Sequence, residues 1–209
     1  MRAFSILLVL IIAFSLGISG CAKNSPMQNL GTAAINETVN SDESIIVFFI
    51  PAKQHRLHVP IVETDENGNL GFVTILVPGT KYLHRTTPGK HFYFLSTVQG
   101  WSEMLEASVE AGKIYYTCVS QHPNSRNPDS PRQYFNSFQF LPVSDVTDEP
   151  FTKDVALCRW YQNTGAAKDW FERNLPDQQR RSAQARARHQ ETGSKKIISP
   201  EYGTTTLVQ

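Results

Sequence analysis

Cysteine is scarce in this sequence, and its scarcity excludes several classes of protein. The 209 residues contain three cysteines, Cys21, Cys118 and Cys158, and no two of them are spaced as Cys-x-x-Cys. A zinc ribbon or a thioredoxin-type redox site needs such a pair. An excess of one charge is lacking too, because the formal net charge is +1. We therefore expect no general attraction to polyanions and no nucleic-acid partner.

The sequence also lacks an apolar run long enough to span a bilayer. Its longest run, Ile6 to Phe14, is much shorter than the roughly 20 residues that a transmembrane helix needs. Arg2 precedes this run, and a positive charge followed by a short apolar stretch is typical of a secretory signal peptide. We predict that residues 1–20 are such a signal and take no part in the fold.

The end of this segment, Ile18 to Cys21, resembles the bacterial lipobox, in which an aliphatic residue and two small residues precede a cysteine. The resemblance implies a diacylglycerol on the sulfur of Cys21, cleavage before Cys21, and acylation of the new amino group by a fatty acid such as palmitate. Two or more acyl chains hold a protein stably at a membrane. The alternative is an ordinary secretory peptide whose cysteine is incidental.

Ala22 follows the cysteine at the position where enteric bacteria usually place Asp to retain a lipoprotein in the inner membrane. We therefore predict an outer-membrane lipoprotein that faces the periplasm, with the inner membrane as the alternative. Residues 22–43 are rich in Asn, Ser, Thr, Gly and Ala and carry no sustained apolar period. Such a segment buries too little surface to offset its ordering entropy, so residues 21–43 are predicted to be the lipidated cysteine and a flexible tether.

The next 120 or so residues carry the patterns of β-strands. Ile45 to Ile50 is apolar on both faces, which predicts a central strand covered on both sides. Asn67-Gly68 predicts a tight hairpin between Leu57–Glu63 and Leu70–Val77, while Pro60 predicts an edge position or a bulge. Further alternating runs, several of them entered through a Pro-Gly or Ala-Gly turn, are Lys81–Arg85, Lys90–Val98, Glu103–Glu110, Lys113–Val119 and Tyr134–Val143.

These strands predict a mainly β protein, an antiparallel β-sandwich of about seven strands with a C-terminal α-helix. The sandwich domain is assigned to residues 44–163, and the segment Gln121 to Gln133 is predicted to be a solvated loop rather than a binding loop. The C-terminal helix is assigned to residues 164–191. Thr164 is its N-cap candidate, and its apolar stripe comprises Ala167, Trp170, Phe171 and Leu175.

The end of the chain is poor in large apolar residues. Pro176 is expected to kink or restart the helix, and Gln178 to Gln190 has no apolar face, so this part is predicted to project or to be partly disordered. Residues 192–209 are predicted to form a disordered tail. Two interpretations remain for the basic residues after Pro176, a solvated surface or contact with anionic lipid or cell-wall polymer. Those residues are Arg180, Arg181, Arg186, Arg188, Lys195 and Lys196.

Two turns and a late helix carry a resemblance to a known family. The turn Pro88 to His91, the segment Glu110 to Tyr116 and a late helix containing Trp170 resemble a bacterial lipoprotein family defined only as a domain of unknown function. The resemblance covers about residues 44 to 175. It implies a β-sandwich and an envelope location, and it supplies no catalytic residues. The long loop at Gln121 to Gln133 and the basic tail depart from the family pattern.

No motif of the chain predicts catalysis or a cofactor. Gly100 to Met104 begins like a nucleophile elbow around Ser102 but lacks the final glycine. His55 and His58 are three apart, so on a strand they would point to opposite faces, and His84 and His91 are isolated. We therefore predict no catalytic residue, no metal and no cofactor.

Cys118 and Cys158 remain if Cys21 is lipidated. An even number of thiols in an oxidising periplasm favours a disulfide between them, which would stabilise the fold by about 4 kcal/mol. The alternative is that Cys118, in register with Ile114 and Tyr116, is simply a buried apolar side chain.

Three functions of different classes remain open. The first, which we predict, is a non-enzymatic envelope lipoprotein whose sandwich binds a protein partner through exposed sheet edges or aromatic-rich faces. The second is a ligand- or glycan-binding module with an aromatic stacking platform. The third and least favoured is an envelope hydrolase, which would need Ser102 beside a histidine and a carboxylate. The candidate contact residues are Tyr93, Trp101, Tyr115 and Tyr116.

Overall fold

The computed structural model describes residues 25–31, 38–53, 58–97, 103–121, 125–127, 130–135, 138–192 and 196–208. The strands are β1 Met27–Gly31, β2 Ser44–Ile50, β3 Val59–Thr64, β4 Leu70–Leu76, β5 Thr80–Thr86, β6 Gly89–Leu95, β7 Met104–Val109, β8 Ile114–Gln121, β9 Ser125–Asn127, β10 Ser130–Phe135, β11 Phe138–Pro142, β12 Arg159–Asn163 and β13 Lys196–Ile198. The helices are α1 Glu149–Leu157, α2 Gly165–Arg173 and α3 Leu175–Thr192, and a 3₁₀ turn spans Pro200–Tyr202. The protein is mainly β, as predicted.

Two sheets pack face to face, and both are mixed. The first sheet has the strand order β1-β12-β5-β2-β8-β11, and the second has the order β13-β7-β6-β3-β4. Three neighbouring pairs are parallel, namely β2 with β8, β5 with β12, and β7 with β13. The predicted sandwich is confirmed, but the expectation of a purely antiparallel one was wrong. Parallel neighbours arise because strands far apart in sequence enter the same sheet.

The strand β2 lies at the centre of the first sheet, between β5 and β8, and all seven of its residues are buried. Because side chains alternate along a strand, Ile46, Phe48 and Ile50 enter the core between the sheets, while the other set enters a second core on the outer face. The ring of Phe48 meets that of Tyr93 from the opposite sheet edge-on at 5.3 Å. The sequence-based prediction of a central strand covered on both sides is confirmed.

The outer face of the first sheet is covered by α1, which sequence analysis missed. Asp148 caps this helix by accepting a hydrogen bond from the backbone N–H of Phe151 at 3.2 Å. At its other end the buried ammonium of Lys81 donates to the carbonyl of Val155 at 3.0 Å and lies 4.5 Å from the ring centre of Trp160. A positive charge at a helix C-terminus is favourable, so β5 supplies the cation that the last turn of α1 lacks.

The outer face of the second sheet is covered by α2 and α3. Phe171 of α2 and Ala185 of α3 join Val62, Phe94 and Met104 in a third apolar cluster. The expectation that the second half of the C-terminal helix projects or is disordered was wrong. Its buried positions are Gln178, Ser182 and Ala185, which share one helix face but escape a search for large apolar residues.

Both ends of the described chain join the sheets. Met27–Gly31, assigned by sequence to the flexible tether, is the strand β1 and pairs with β12. Lys196–Ile198, assigned to the disordered tail, pairs with β7, and the side chain of Ile198 is buried in the core between the sheets. Farther on, the backbone N–H of Val208 donates to the hydroxyl of Tyr116 at 2.7 Å. Short segments of this kind gain their order from the sheets they join, so their own composition does not show it.

Two turn predictions have definite outcomes. The hairpin at Asn67-Gly68 is confirmed, because β3 and β4 are antiparallel and Gly68 has a φ of 89°. Pro60 lies on β3, which is flanked by β6 and β4 and is therefore not an edge strand. The bulge is the correct alternative, since the register shifts between Ile61 and Val62. The predicted loop at Gln121 to Gln133 was wrong in part, because β9 and β10 form a hairpin there.

We expect Phe48→Ala to lower the free energy of unfolding by about 3–5 kcal/mol, because the side chain is fully buried and its loss leaves a cavity between the sheets. Urea unfolding followed by circular dichroism measures the change. The matched control is Leu157→Ala, whose side chain is 61% exposed and which should change the free energy by less than about 0.5 kcal/mol. Equal effects of the two substitutions would contradict the central place of β2.

Candidate functional site

Three of the four aromatic residues predicted to contact a ligand or partner lie in the core. Tyr93 and Tyr115 are 0% exposed and Tyr116 is 1% exposed. The hydroxyl of Tyr115 accepts a hydrogen bond from the backbone N–H of Glu110 at 2.9 Å. A buried ring offers no face to a ligand, so the prediction of a stacking platform was wrong for these three residues. Trp101 lies outside the described residues, as does Ser102.

Both cysteines of the folded domain are free thiols in the structure, so the predicted disulfide is not formed there. The Cys158 thiol lies 3.4 Å from the carbonyl oxygen of Ile50 and 3.2 Å from that of Asp154. Cys118 packs against the same outer cluster of the first sheet. Burial raises the pKa of each thiol to about 12. Because the thiolate is the reactive form of cysteine, the two side chains are inert at neutral pH. Cys21 lies outside the described residues.

A polar cluster of His84, His91 and Glu63 closes one part of the space between the sheets. Nδ1 of His91 lies 2.7 Å from Oε1 of Glu63, and its Nε2 lies 2.8 Å from the carbonyl oxygen of Thr87. Both ring nitrogens of His91 thus face acceptors, which favours the doubly protonated ring. The pKa of His91 is accordingly raised, chiefly by the hydrogen bond to Glu63.

His84 has the opposite environment. Its Nε2 is 3.9 Å from Oε2 of Glu63, too far for a hydrogen bond, and has no hydrogen-bond partner among the described residues. Its ring meets that of Tyr93 edge-on at 5.6 Å. Burial lowers the pKa of His84 to about 4. Since one histidine comes from each sheet, the cluster contributes a contact between them. Within the described chain no three His, Cys, Asp or Glu side chains are grouped so as to hold a metal ion.

A cavity of about 320 Å³ lies between the two C-terminal helices and the outer face of the second sheet. This volume falls at the lower end of the range of small-molecule sites. We call it the helix cleft. Its helical wall comprises Trp170, Asn174, Asp177, Gln178 and Arg181, and its remaining wall comprises Pro26, His58, Pro60, Ile75 and Ser96.

The helical wall is continuous across the junction of α2 and α3. Asn174 caps α2, its backbone N–H donating to the carbonyl of Trp170, and its own carbonyl accepts from the backbone N–H of Gln178 at 3.0 Å. Pro176 lies in the first turn of α3, where its missing N–H costs little. Residues 170, 174, 178 and 181 therefore share one helix face, and that face is directed at the sheet.

The charged groups of the helix cleft are paired with one another. Nε of Arg181 donates to Oδ2 of Asp177 at 2.6 Å, and the same guanidinium donates to the carbonyl of Thr97 at the end of β6. The pKa of Asp177 is lowered, first by Arg181 and then by Arg180. Asp177 therefore stays ionised and is shared by the guanidinium groups of Arg181 and Arg180. The basic residue Arg181, predicted as part of a solvated or membrane-facing tail, instead ties α3 to the second sheet.

Gln178 is the unusual member of the helix cleft. Its side chain is only 2% exposed, and its Oε1 has no hydrogen-bond partner among the described residues. A buried acceptor without a donor costs roughly 1–3 kcal/mol. Trp170 stands on the same wall and is half-buried. Because that oxygen is itself sealed from solvent, the unpaired acceptor belongs to the packing of α3 on the sheet, and Trp170 supplies the aromatic part of the cleft wall.

Two other cavities are bordered by charged side chains that already bond to other groups of the protein. One of about 510 Å³ lies beside Lys90, whose ammonium bonds Glu106 at 2.8 Å and lies 5.0 Å from the ring centre of Phe92. Another of about 420 Å³ lies beside Cys118 and includes Asp145 and Asp148. Asp145 accepts from Thr147, and Asp148 caps α1. The helix cleft is the better candidate because it is more enclosed than these two cavities and is bordered by Trp170.

Sequence analysis found only part of this site. It placed Trp170 on an apolar stripe, but it did not single out Asn174, Asp177 or Gln178. The available signal was the recurrence of polar side chains at helical spacing directly after that stripe. That signal was weak, because the same spacing occurs on exposed helix faces.

Comparison with known proteins adds no family to these observations. The chain matches no protein-family model, and a search of curated proteins finds no match to it. The resemblance to a lipoprotein family of unknown function therefore stays a prediction. Among the described residues, no helix has the length and apolar character needed to cross a membrane.

We expect the two thiols to react slowly with iodoacetamide at pH 8 in the native protein and to react in urea without a reductant. The raised pKa of each leaves little thiolate. Cys158 is also buried, whereas Cys118 is half-buried, so Cys158 should be the slower of the two. Mass spectrometry of peptides containing Cys118 and Cys158 counts the added groups, and a sample treated with reductant before unfolding is the control. If labelling in urea appears only after reduction, the two cysteines are joined as the sequence favoured.

We expect His84 to destabilise the fold in acid. The unfolded chain binds a proton below about pH 6.5, whereas the native His84 does not until about pH 4. The free energy of unfolding is therefore unaffected by His84 above pH 6.5. Between pH 6.5 and pH 4 only the unfolded chain binds the proton, which lowers the free energy of unfolding by up to about 3 kcal/mol. His91 acts in the opposite sense: its raised pKa gives stability below pH 6.5 that is lost as the pH rises through its folded value.

Urea unfolding of the His84→Leu variant between pH 4 and 7 measures this contribution. The variant should lose much of the slope of stability against pH that the unchanged protein shows over this range. The exposed His58 supplies the control, because His58→Leu should leave the slope in place. An unchanged slope in His84→Leu would contradict a neutral, buried His84.

Proposed function

We propose that this chain is a non-enzymatic bacterial envelope lipoprotein, anchored to the outer membrane through Cys21, which binds a small molecule in the periplasm. The observation that carries the anchor is the order of features in the first residues: Arg2, the apolar run Ile6 to Phe14, and the lipobox-like Ile18 to Cys21. The observation that carries the binding function is the helix cleft, a space of about 320 Å³ bordered by Trp170 and by the paired charges of Asp177 and Arg181.

The fold supports a short connection to the membrane. The strand β1 begins at Met27 and is paired with β12, only six residues after Cys21. Since an extended chain spans at most about 3.5 Å per residue, Met27 would lie within about 20 Å of the lipidated cysteine. The edge of the first sheet at β1 would thus stay near the membrane surface. The tether would then comprise only the residues between Cys21 and Met27, whereas the sequence predicted a tether over residues 21–43.

The distribution of apolar surface supports a small ligand over a large protein partner. The exposed large apolar side chains of the described residues are Leu30, Leu141, Leu157 and Ile197. They lie on β1, on β11, at the end of α1 and on β13, and of these elements β11 and β13 are packed against each other. A broad protein interface usually has a contiguous apolar centre. Three of the four aromatic residues proposed for such an interface, Tyr93, Tyr115 and Tyr116, are in the core instead.

Protein binding is the second candidate, and the edge strand β11 favours it. This strand ends the first sheet, and Leu141 on it is 37% exposed. An edge strand presents backbone donors and acceptors that a partner strand can pair. Crosslinking in intact envelopes, with a Leu141→Lys variant as the test and Leu157→Lys as the control, separates this candidate from ligand binding. A discrete partner lost only with Leu141→Lys would favour it.

We expect Cys21→Ala to move the protein from the membrane fraction to the soluble or uncleaved fraction and to abolish incorporation of radiolabelled palmitate. The reason is that acyl chains on Cys21 would provide the stable attachment. Fractionation of bacteria that express either form measures the change, and Cys118→Ala is the matched control because its half-buried thiol lies on β8 of the folded domain. Palmitate incorporation that persists in Cys21→Ala would contradict the proposed anchor.

A further inference from the structure

We infer that one end of the first sheet contacts the membrane, with Leu30 and Leu157 at the boundary between head groups and acyl chains and three exposed cations against anionic head groups. The cations are Lys53, Lys153 and Arg159. We call this part of the molecule the Leu157 end. The inference rests on the proposed anchor at Cys21 and names a second contact with the same membrane.

The pairing of the strands brings the Leu157 end together from separate parts of the chain. Ile50, the last residue of β2, pairs with Thr80, the first residue of β5, and Thr80 also pairs with Arg159, the first residue of β12. The helix α1 finishes at Leu157 beside them, because the Cys158 thiol that follows lies 3.4 Å from the carbonyl oxygen of Ile50. The ends of three strands and one helix therefore meet here.

The register of β1 places Leu30 near the same end. Asn29 and Gly31 pair with successive residues of β12, so Leu30 between them is the extra residue of a bulge. The backbone N–H of Gly31 donates to the side-chain oxygen of Asn29 at 2.8 Å, and the side chain of Leu30 is 42% exposed. Because Gly31 pairs with Trp160, three residues after Leu157, the Cα atoms of the two leucines are at most about 20 Å apart.

The outward face of α1 combines an apolar side chain with a cation. The buried residues of this helix are Phe151 and Val155, and Lys153 and Leu157, which are four apart, share the opposite face. Leu157 is 61% exposed, the largest fraction among the exposed large apolar side chains of the described residues. A leucine that enters the bilayer boundary leaves water, while the ammonium of a neighbouring lysine stays with the head groups. Asp154, the carboxylate of the last turn, borders the cavity of about 420 Å³ instead.

The charge of the Leu157 end favours anionic lipid. Lys53, which follows the end of β2 by three residues, is exposed, as are Lys153 and Arg159. The ion pairs of lysine and arginine within the described chain involve other cations, so no carboxylate there neutralises these three. Each cation beside an anionic bilayer strengthens attachment about fivefold. The formal net charge of the whole chain is only +1, so this local group provides the attraction.

The proposed anchor would hold this edge of the sheet at the bilayer. Ser25 is four residues after Cys21, so an extended chain would place it within about 14 Å of the lipidated cysteine. The strand β1 begins two residues later and is an edge strand, so it can lie along the membrane surface. Two separate leucines are too small a centre for a protein interface, but they suit shallow insertion into a bilayer that is already adjacent.

Electron paramagnetic resonance of the full chain, purified from membranes and returned to vesicles, tests the contact. Nitroxide labels are attached at Leu157→Cys and at Leu30→Cys, and the vesicles contain phosphatidylcholine with or without phosphatidylglycerol. Oxygen concentrates among acyl chains and a nickel chelate stays in water, so with phosphatidylglycerol present both labels should relax more with oxygen than with nickel. The unchanged protein, treated with the same reagent, gives the background from the native thiols.

A label at Ile197→Cys is the positional control. Ile197 is 37% exposed on β13, which packs against β11 at the opposite edge of the first sheet from β1. Its label should relax with nickel as a label in water does.

The charge control compares Arg159→Glu with Lys168→Glu, two changes of equal charge. The side chain of Lys168 is 76% exposed on α2, which covers the second sheet. Arg159→Glu should lower the ratio of lipid-contacting to free label at Leu157→Cys about fivefold or more, while circular dichroism shows the fold retained. Lys168→Glu should leave that ratio unchanged.

Three results would overturn the inference. Labels at Leu30→Cys and Leu157→Cys that relax with nickel as the control label does would show that the Leu157 end stays in water. Protection of both labels from oxygen and nickel alike would show that another protein surface covers this end. Contact that is equal without phosphatidylglycerol and in Arg159→Glu would remove the role of anionic head groups.

Failure here is separable from failure of the lipoprotein proposal, because palmitate incorporation does not depend on Leu30 or Leu157. If palmitate is incorporated at Cys21 and both labels stay in water, the anchor stands and only the second contact is lost. If Cys21→Ala still incorporates palmitate and both labels contact lipid, only the anchor is lost.

Discussion

Burial of β2 on both faces is the interaction on which the rest of this structure depends. Its six consecutive apolar residues, Ile45 to Ile50, are at most 2% exposed, and each such side chain contributes about 1.5–3 kcal/mol when removed from water. A strand can bury both faces only if each side of its sheet is covered. The second sheet covers one side and α1 covers the other. The layered architecture follows from this one strand.

The same requirement explains the outer helices and the additional strands. The second sheet also has an apolar outer face, formed around Val62 and Phe94, and it needs α2 and α3 to cover it. Arg181 and Arg186 hold α3 in place by donating to backbone carbonyls at the ends of β6 and β3. The two arginines therefore make hydrogen bonds within the fold and are not part of a free basic tail. The helix cleft lies in the gap that remains between α2, α3 and the sheet.

The polar groups of the molecule divide into two kinds. Those in the cluster of His84, His91 and Glu63 are enclosed between the sheets and act on stability, since their environments shift the pKa values of the two histidines in opposite directions. Those in the helix cleft border an open space, where Asp177 and Arg181 are bonded to each other. Position beside that space separates the two kinds. The lack of a hydrogen-bond partner does not, because Nε2 of His84 and Oε1 of Gln178 both lack one among the described residues.

The sequence by itself determined the features that are local along the chain. The two-sided apolar run of β2, the Asn67-Gly68 hairpin and the amphipathic start at Trp170 and Phe171 each depend on a few adjacent residues, so their patterns predict them directly. The lipobox-like motif before Cys21 is local in the same sense. Tertiary structure alone decided which strands are neighbours, because the parallel pairs β2 with β8 and β7 with β13 join residues far apart in sequence. It also decided that Tyr93, Tyr115 and Tyr116 are buried, and that the small side chains Ser182 and Ala185 place α3 against a sheet. The helix cleft belongs to this second group, since its walls come from five separate parts of the chain that only packing brings together.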